Sequence, residues 1–124
     1  MYNFTKEERL TNKKAINNLF LNGNHLFISP FNLFWLEKKD QLELSNKVLI
    51  TVSKKNIKLA SKRNFLKRRI KEAFRLNKIE LYELLNKRRK KIDVGIVYQD
   101  SKIYKYEHIE EKIKLLLNRL IERL

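Results

Sequence analysis

One stretch of this chain carries two faces that have to be satisfied in different places. Leu59, Leu66, Ile70, Ala73 and Phe74 recur at spacings that stay on one side of a 3.6-residue period, which predicts a helix over about Leu59 to Leu76 with a buried apolar stripe. The stretch from Lys54 to Arg75 holds Lys54, Lys55, Lys58, Lys62, Arg63, Lys67, Arg68, Arg69, Lys71 and Arg75 against the single acid Glu72, a net of about +9 in 22 residues. At about 100° per residue, Asn64, Lys67, Arg68, Lys71 and Arg75 fall opposite the stripe. The helix therefore offers its apolar face to a sheet and a guanidinium and ammonium ridge to solvent. A ridge with so little acid of its own points to phosphate: Arg forks onto two phosphate oxygens and Lys supplies mobile point charge.

The rest of the chain supplies partners for that helix. Thr11 to Leu21 reads as a helix through Ile16, Leu19 and Phe20, with Thr11 or Asn12 as N-cap, and Asn22-Gly23-Asn24 ends it with residues that tolerate left-handed backbone. Leu26 to Glu37 is expected as a strand broken or bulged at Pro30, with Phe31, Leu33 and Trp35 on one face and Asn32, Phe34 and Leu36 on the other. Lys38 to Ser45 is a polar connection. Lys47 to Ser53 reads as a second strand, Lys78 to Arg89 as a helix with Ile79, Tyr82 and Leu85 inward, and Ile92 to Tyr98 as a buried strand. Tyr106 to Leu124 closes the chain as a helix with Ile109, Ile113, Leu116, Leu117, Leu120, Ile121 and Leu124 on its apolar side. Without repeats or a flexible linker, this is one domain over residues 1–124, of α+β class.

Charge narrows the function. Lys and Arg number 29 against 14 acids, a formal +15 in 124 residues. Such an excess disfavours a compact state by self-repulsion, and nucleic acid is the commonest partner that relieves it. No cysteine is present, which removes disulfides, thiol nucleophiles and zinc–thiolate sites. No apolar run approaches the roughly 20 residues that cross a membrane, and the opening residues lack the grammar of a secretory signal. A cytoplasmic setting is the expectation.

Ser53-Lys54-Lys55, a spacer, Ala60, then Lys62-Arg63-Asn64-Phe65-Leu66-Lys67-Arg68-Arg69-Ile70-Lys71-Glu72-Ala73-Phe74-Arg75 resembles the signature of the bacterial ribonuclease P protein family, centred on Arg-Asn-Arg-x-Lys-Arg. Arg9-Leu10, a helix ending Phe20-x-x-Gly23, and Ile92-Asp93-Val94-Gly95-Ile96-Val97 extend the resemblance over nearly the whole chain. It departs at two places: Phe65 stands where the family has its second Arg, and Gln99-Asp100 follow the late strand where the family usually places Lys or Arg.

The resemblance implies a two-layer αβββαβα sandwich with a mixed sheet. It implies a protein subunit with no catalytic residue of its own, bound to a catalytic RNA that matures the 5′ end of precursor tRNA. Magnesium is held mainly by that RNA and none by the protein alone, with one protein per RNA. Carried over by position, the RNA-binding residues are Lys54, Lys55, Arg63, Asn64, Phe65, Lys67, Arg68, Lys71 and Arg75. The cleft for the 5′ leader is lined by Ile16, Phe20, Phe34, Thr51 and Ser53, with Ile16 where the family has an aromatic. Exposed aromatics suit a leader of variable sequence, since bases stack without being read. Read from sequence alone, Phe20 and Phe34 fit ordinary core packing as well.

Weaker features stay open. Lys87-Arg88-Arg89-Lys90-Lys91 fits either a second phosphate contact or cations at a helix C-terminus, which the dipole favours. His25 and His108 are isolated from any Asp/Glu/His grouping with metal-ligand spacing, and Asp93 and Asp100 sit at opposite ends of a strand, too far apart for a two-metal site. Competing readings are a ribosomal or ribosome-assembly protein that binds RNA without a cleavage role, and a self-sufficient metal-dependent nuclease, which the shortage of clustered carboxylates disfavours.

Overall fold

Two periodicities build the molecule, and they meet along one sheet. A computed structural model describes residues 4–38 and 45–124; residues 1–3, and positions 39–44 of the expected polar connection, lie outside it. The elements are α1 (Lys13–Asn22), β1 (Asn24–Ile28), β2 (Phe31–Glu37), β3 (Lys47–Val52), α2 (Ala60–Asn77), α3 (Ile79–Lys87), β4 (Ile92–Tyr98) and α4 (Tyr106–Arg123), after a short 3-10 turn at Lys6–Glu8. The strands form a mixed four-stranded sheet in the order β1-β2-β4-β3, antiparallel except for the parallel β3–β4 pair, which α2 and α3 connect.

Alternation sorts the strand residues as expected. Phe31, Leu33 and Trp35 of β2, Val48 and Val52 of β3, and Ile92, Val94, Ile96 and Tyr98 of β4 are buried together with Leu66, Ile70, Ala73 and Phe74 of α2 and the apolar stripe of α4. Each buried Val, Leu, Ile or Phe among them stabilises the fold by about 1.5–3 kcal/mol relative to exposure. The opposite face carries two cross-strand rows, Leu49–Gly95–Phe34–His25 and Thr51–Val97–Asn32–Phe27. The short α1 lies across part of this second face. Gly95 lets it come close: a Cβ there would stand 3.1 Å from Leu19 Cδ2 and 3.5 Å from Phe20 Cζ.

Several expectations are corrected. The aromatic stretch is not one bulged strand but the hairpin β1–β2, turned at a cis Ser29–Pro30 bond. Leu59 is 59% exposed and precedes α2 rather than joining its stripe. In α3 the buried residues are Leu81 and Leu85, while Ile79 and Tyr82 are only half-buried, because α3 turns Tyr82 toward Glu8. Gly23 ends α1 with φ −74°, so left-handed backbone is not its reason. Space is: a Cβ there would fall 2.3 Å from the Leu19 carbonyl oxygen and 2.9 Å from that of Trp35. Asn12, of the two candidates, caps α1 by accepting from the Ala15 N–H at 3.1 Å.

Candidate nucleic-acid interface

The ridge of α2 divides into cations that face outward together and cations already engaged inside the fold. Asn64, Lys67, Arg68 and Lys71 line a groove of about 480 Å³ that runs between α2, the edge strand β3 and the N-terminal segment. Its other walls carry apolar, basic and hydroxyl side chains, among them Phe4, Arg9, Thr11, Leu49 and Ile50, and among the described residues no acid lines it. The segment that forms the outer wall is fixed from below. Lys78, only 2% exposed, donates to both carboxylate oxygens of Glu8 at 2.7 Å, and the Tyr82 hydroxyl donates to Glu8 Oε2 at 2.7 Å. Burial pushes the Glu8 carboxyl up, but hydrogen bonds from Lys78, Tyr82 and the Thr5 N–H outweigh it and hold it below the ordinary value. Phe4 then lies beside the ridge, with Lys71 Nζ 5.1 Å from its ring centre.

Other expected contacts are placed differently. Arg63 donates to the carbonyls of Ile57 at 2.9 Å and Lys58 at 2.7 Å, so its guanidinium braces the loop entering α2. Arg75 forks onto Glu72 at 2.9 and 2.6 Å, which lowers the carboxyl and raises the guanidinium. Lys54 and Lys55 are exposed in the turn after β3, at the entry to α2. Phe65 sits on the other flank of α2, away from the groove, with the Arg69 guanidinium 4.3 Å from its ring centre. Arg9, Thr11 and Phe4 were missed by the sequence reading, because the N-terminal segment has no periodicity of its own.

The residues expected to line a leader cleft lie on or beside the open sheet face. Phe20 and Phe34 meet edge to face at 4.8 Å, and both remain half-buried. Phe34 and Thr51 stand on the same face, with Ile16 on α1 above and Ser53 just beyond β3, all half-buried. Phe27, 59% exposed, ends the row through Thr51 and was not anticipated.

The basic run 87–91 is in large part a helix end. Arg89 adopts φ 55°, Lys90 N–H bonds back to the Leu85 carbonyl, Arg88 donates to the Leu124 carbonyl, and Lys90 lies 3.5 Å from Glu37. His25 is exposed beside Phe34, and His108 stacks on Tyr104.

Among the described residues no group of three or more acids or histidines is arranged to hold a metal ion, and Glu8, Glu72, Asp93 and Asp100 are each taken up by a neighbour; Asp93, for example, pairs with Lys38 at 3.0 Å. Nor, among the described residues, is any helix long and apolar enough to cross a membrane.

Comparison with known proteins follows this geometry. The sequence profile of a family described as Ribonuclease P matches residues 4–121. Proteins named ribonuclease P protein component from two strains of Porphyromonas gingivalis are 26% identical over 119 residues, covering 96% of this chain and 87% of theirs. The fold is similar to that of the RNase P protein of Staphylococcus aureus, at TM-score 0.69 and 19% identity over 91% of this chain and 94% of that one. It is similar also to that of Thermotoga maritima, at TM-score 0.69 and 24% identity over 90% and 96%.

Proposed function

This chain belongs to the ribonuclease P protein family, and we propose that it serves as the non-catalytic protein subunit of a ribonucleoprotein that matures the 5′ end of tRNA. The single RNA-binding domain over residues 1–124 docks on the catalytic RNA through Asn64, Lys67, Arg68 and Lys71. Lys54 and Lys55 extend the contact, Arg63 and Arg75 support it, and Phe65 contributes from its own flank. The observation that carries this reading is the groove itself: three cations and an amide side by side, with no acid among the described residues that line it. Phosphates entering it neutralise charge that the fold leaves uncompensated.

The 5′ leader of precursor tRNA lies across the open sheet face, where Ile16, Phe20, Phe34, Thr51 and Ser53 offer half-exposed apolar and hydroxyl surface. Stacking on Phe34 and Phe20 holds bases of any sequence. Magnesium belongs with the RNA subunit, since no group of three or more acids or histidines among the described residues of this chain is arranged to hold a metal ion. The protein therefore binds and orients, working in the cytoplasm as one copy per RNA.

The test is reconstitution. Purified protein with magnesium leaves precursor tRNA intact, and adding the cognate catalytic RNA gives cleavage at one 5′ site, stimulated by the protein at low magnesium. Site-specific cleavage by RNA-free protein would sink the reading. Binding to ribosomal RNA with no effect on cleavage would put a ribosomal role in its place.

A further inference from the structure

Phe65 and Asp100, the two departures from the family pattern, are far apart in sequence and act on the same groove. It has a volume of about 620 Å³ and lies on the flank of α2 away from the ridge, between that helix and the β4–α4 connection. Phe65 and Arg69 form one wall; Lys102, Tyr104, Lys105 and His108 form the other. Three features mark it. The Arg69 guanidinium lies 4.3 Å from the Phe65 ring centre, although Phe65 is 39% exposed and gains little from folding. Tyr104 and His108 stack with ring centres 4.4 Å apart and planes 22° from parallel. Among the described residues, the lining includes three rings and three cations, and no acid.

Asp100 is what shapes the second wall. Its carboxylate accepts the Lys102 N–H at 2.9 Å and the Tyr104 hydroxyl at 2.9 Å, and the Tyr98 hydroxyl donates to the Lys102 carbonyl. The carboxyl is held below its ordinary value, chiefly by the Lys102 N–H. The acid is thus used inside the turn that presents Tyr104, and it does not line the groove.

We propose that this groove is a second RNA contact, in which an unpaired nucleobase stacks against the rings of Phe65 and Tyr104 while Arg69, Lys102 and Lys105 meet the phosphates beside it. The inference rests on the reading of the chain as an RNA-binding subunit and adds to it a site of a different kind. An acidic protein segment would meet the same cations, but flat ring faces bordered by cations on both walls match a base with its flanking phosphates. The exchange of Arg for Phe at 65 then replaces an ionic contact by one that survives salt.

The test uses the full chain and two probes of about ten nucleotides: oligoadenylate, and an abasic oligomer with the same phosphates and no bases. In high salt ionic contacts are screened and stacking persists. There, Phe65→Ala combined with Tyr104→Ala lowers oligoadenylate affinity about tenfold or more, the order that a lost base stack produces. Binding of the abasic oligomer changes little. Phe65→Leu keeps an apolar side chain without a ring face and lowers oligoadenylate binding at an unchanged melting temperature, whereas Phe65→Trp retains it. Parent-like oligoadenylate binding by the double variant would overturn the proposal, as would equal losses for both probes, or a loss confined to an acidic polypeptide such as polyglutamate. Lys67→Ala with Arg68→Ala, measured alongside, separates this site from the ridge: if that pair changes nothing, the ridge reading fails and the result at the groove still stands.

Discussion

The C-terminal end of α2 and its middle present the same kind of side chain in opposite circumstances. Lys78 is almost wholly buried, bonded to both oxygens of Glu8 and sharing that carboxylate with Tyr82. Lys67, Arg68 and Lys71 stand together along a groove that no acid lines among the described residues. The first set of charges is consumed in holding the N-terminal segment against the helix; the second is left uncompensated by the fold. Counting cations therefore overstates the interface, because Arg63, Arg75 and Lys78 carry charge that neighbouring groups already answer. The two regions also depend on each other, since the segment pinned by Glu8 forms the outer wall of the groove.

The contrast is sharpest in stability. Lys78→Met strands a buried carboxylate and should cost about 3–5 kcal/mol in denaturant unfolding, whereas Lys67→Met at the exposed ridge should stay within about 0.5 kcal/mol. Similar losses for both would erase the distinction. Phe34 lies between the two cases, since it packs on Phe20 and is still half-open. Phe34→Ala should weaken precursor tRNA binding by about 1–3 kcal/mol and leave mature tRNA nearly unaffected, because only the precursor has a leader to stack. Equal losses for the two RNAs, or a collapsed melting temperature, would assign Phe34 to packing alone.

Acid gives a smaller effect of defined sign. The folded carboxyl of Glu8 lies below its ordinary value of 4.5. Its contribution is therefore fully present above that value and is lost as pH falls through the folded one. Melting temperature should drop across this acidic window in the parent, and the part due to Glu8 should vanish in Lys78→Met; an identical acid limb in both proteins would contradict the assignment. The smallest effect concerns Arg75. Tied to Glu72, it should change the salt dependence of RNA binding by less than about half a log–log unit on conversion to Ala, against nearly one for Arg68→Ala.

Much of this was legible in the chain. The stripe Leu66–Ile70–Ala73–Phe74 and the alternation of Phe31, Leu33 and Trp35 are periodic, and periodicity reports which side faces the core. The outward position of Asn64, Lys67, Arg68 and Lys71 follows from the same rule. What escaped were arrangements that periodicity does not report: the bond of Glu8 to Lys78, those of Arg63 to the carbonyls just before its own helix, and the groove that Phe65 shares with Tyr104. The hairpin at Pro30 escaped because aromatic residues continue through it on both sides. Gly23 was expected for its conformational freedom and is required for its lack of a side chain, a distinction that only the approach of the Leu19 and Trp35 carbonyls reveals.

The measurement that bears most directly on the central claim is the salt dependence of binding to the cognate catalytic RNA, for the parent and for Lys67→Ala with Arg68→Ala. If these two side chains meet phosphates, the log–log slope of affinity against salt flattens by about one to two units, each neutralised phosphate contributing about 0.7–0.9. An unchanged slope, with affinity intact at low salt, would place the RNA on some other surface and contradict the account.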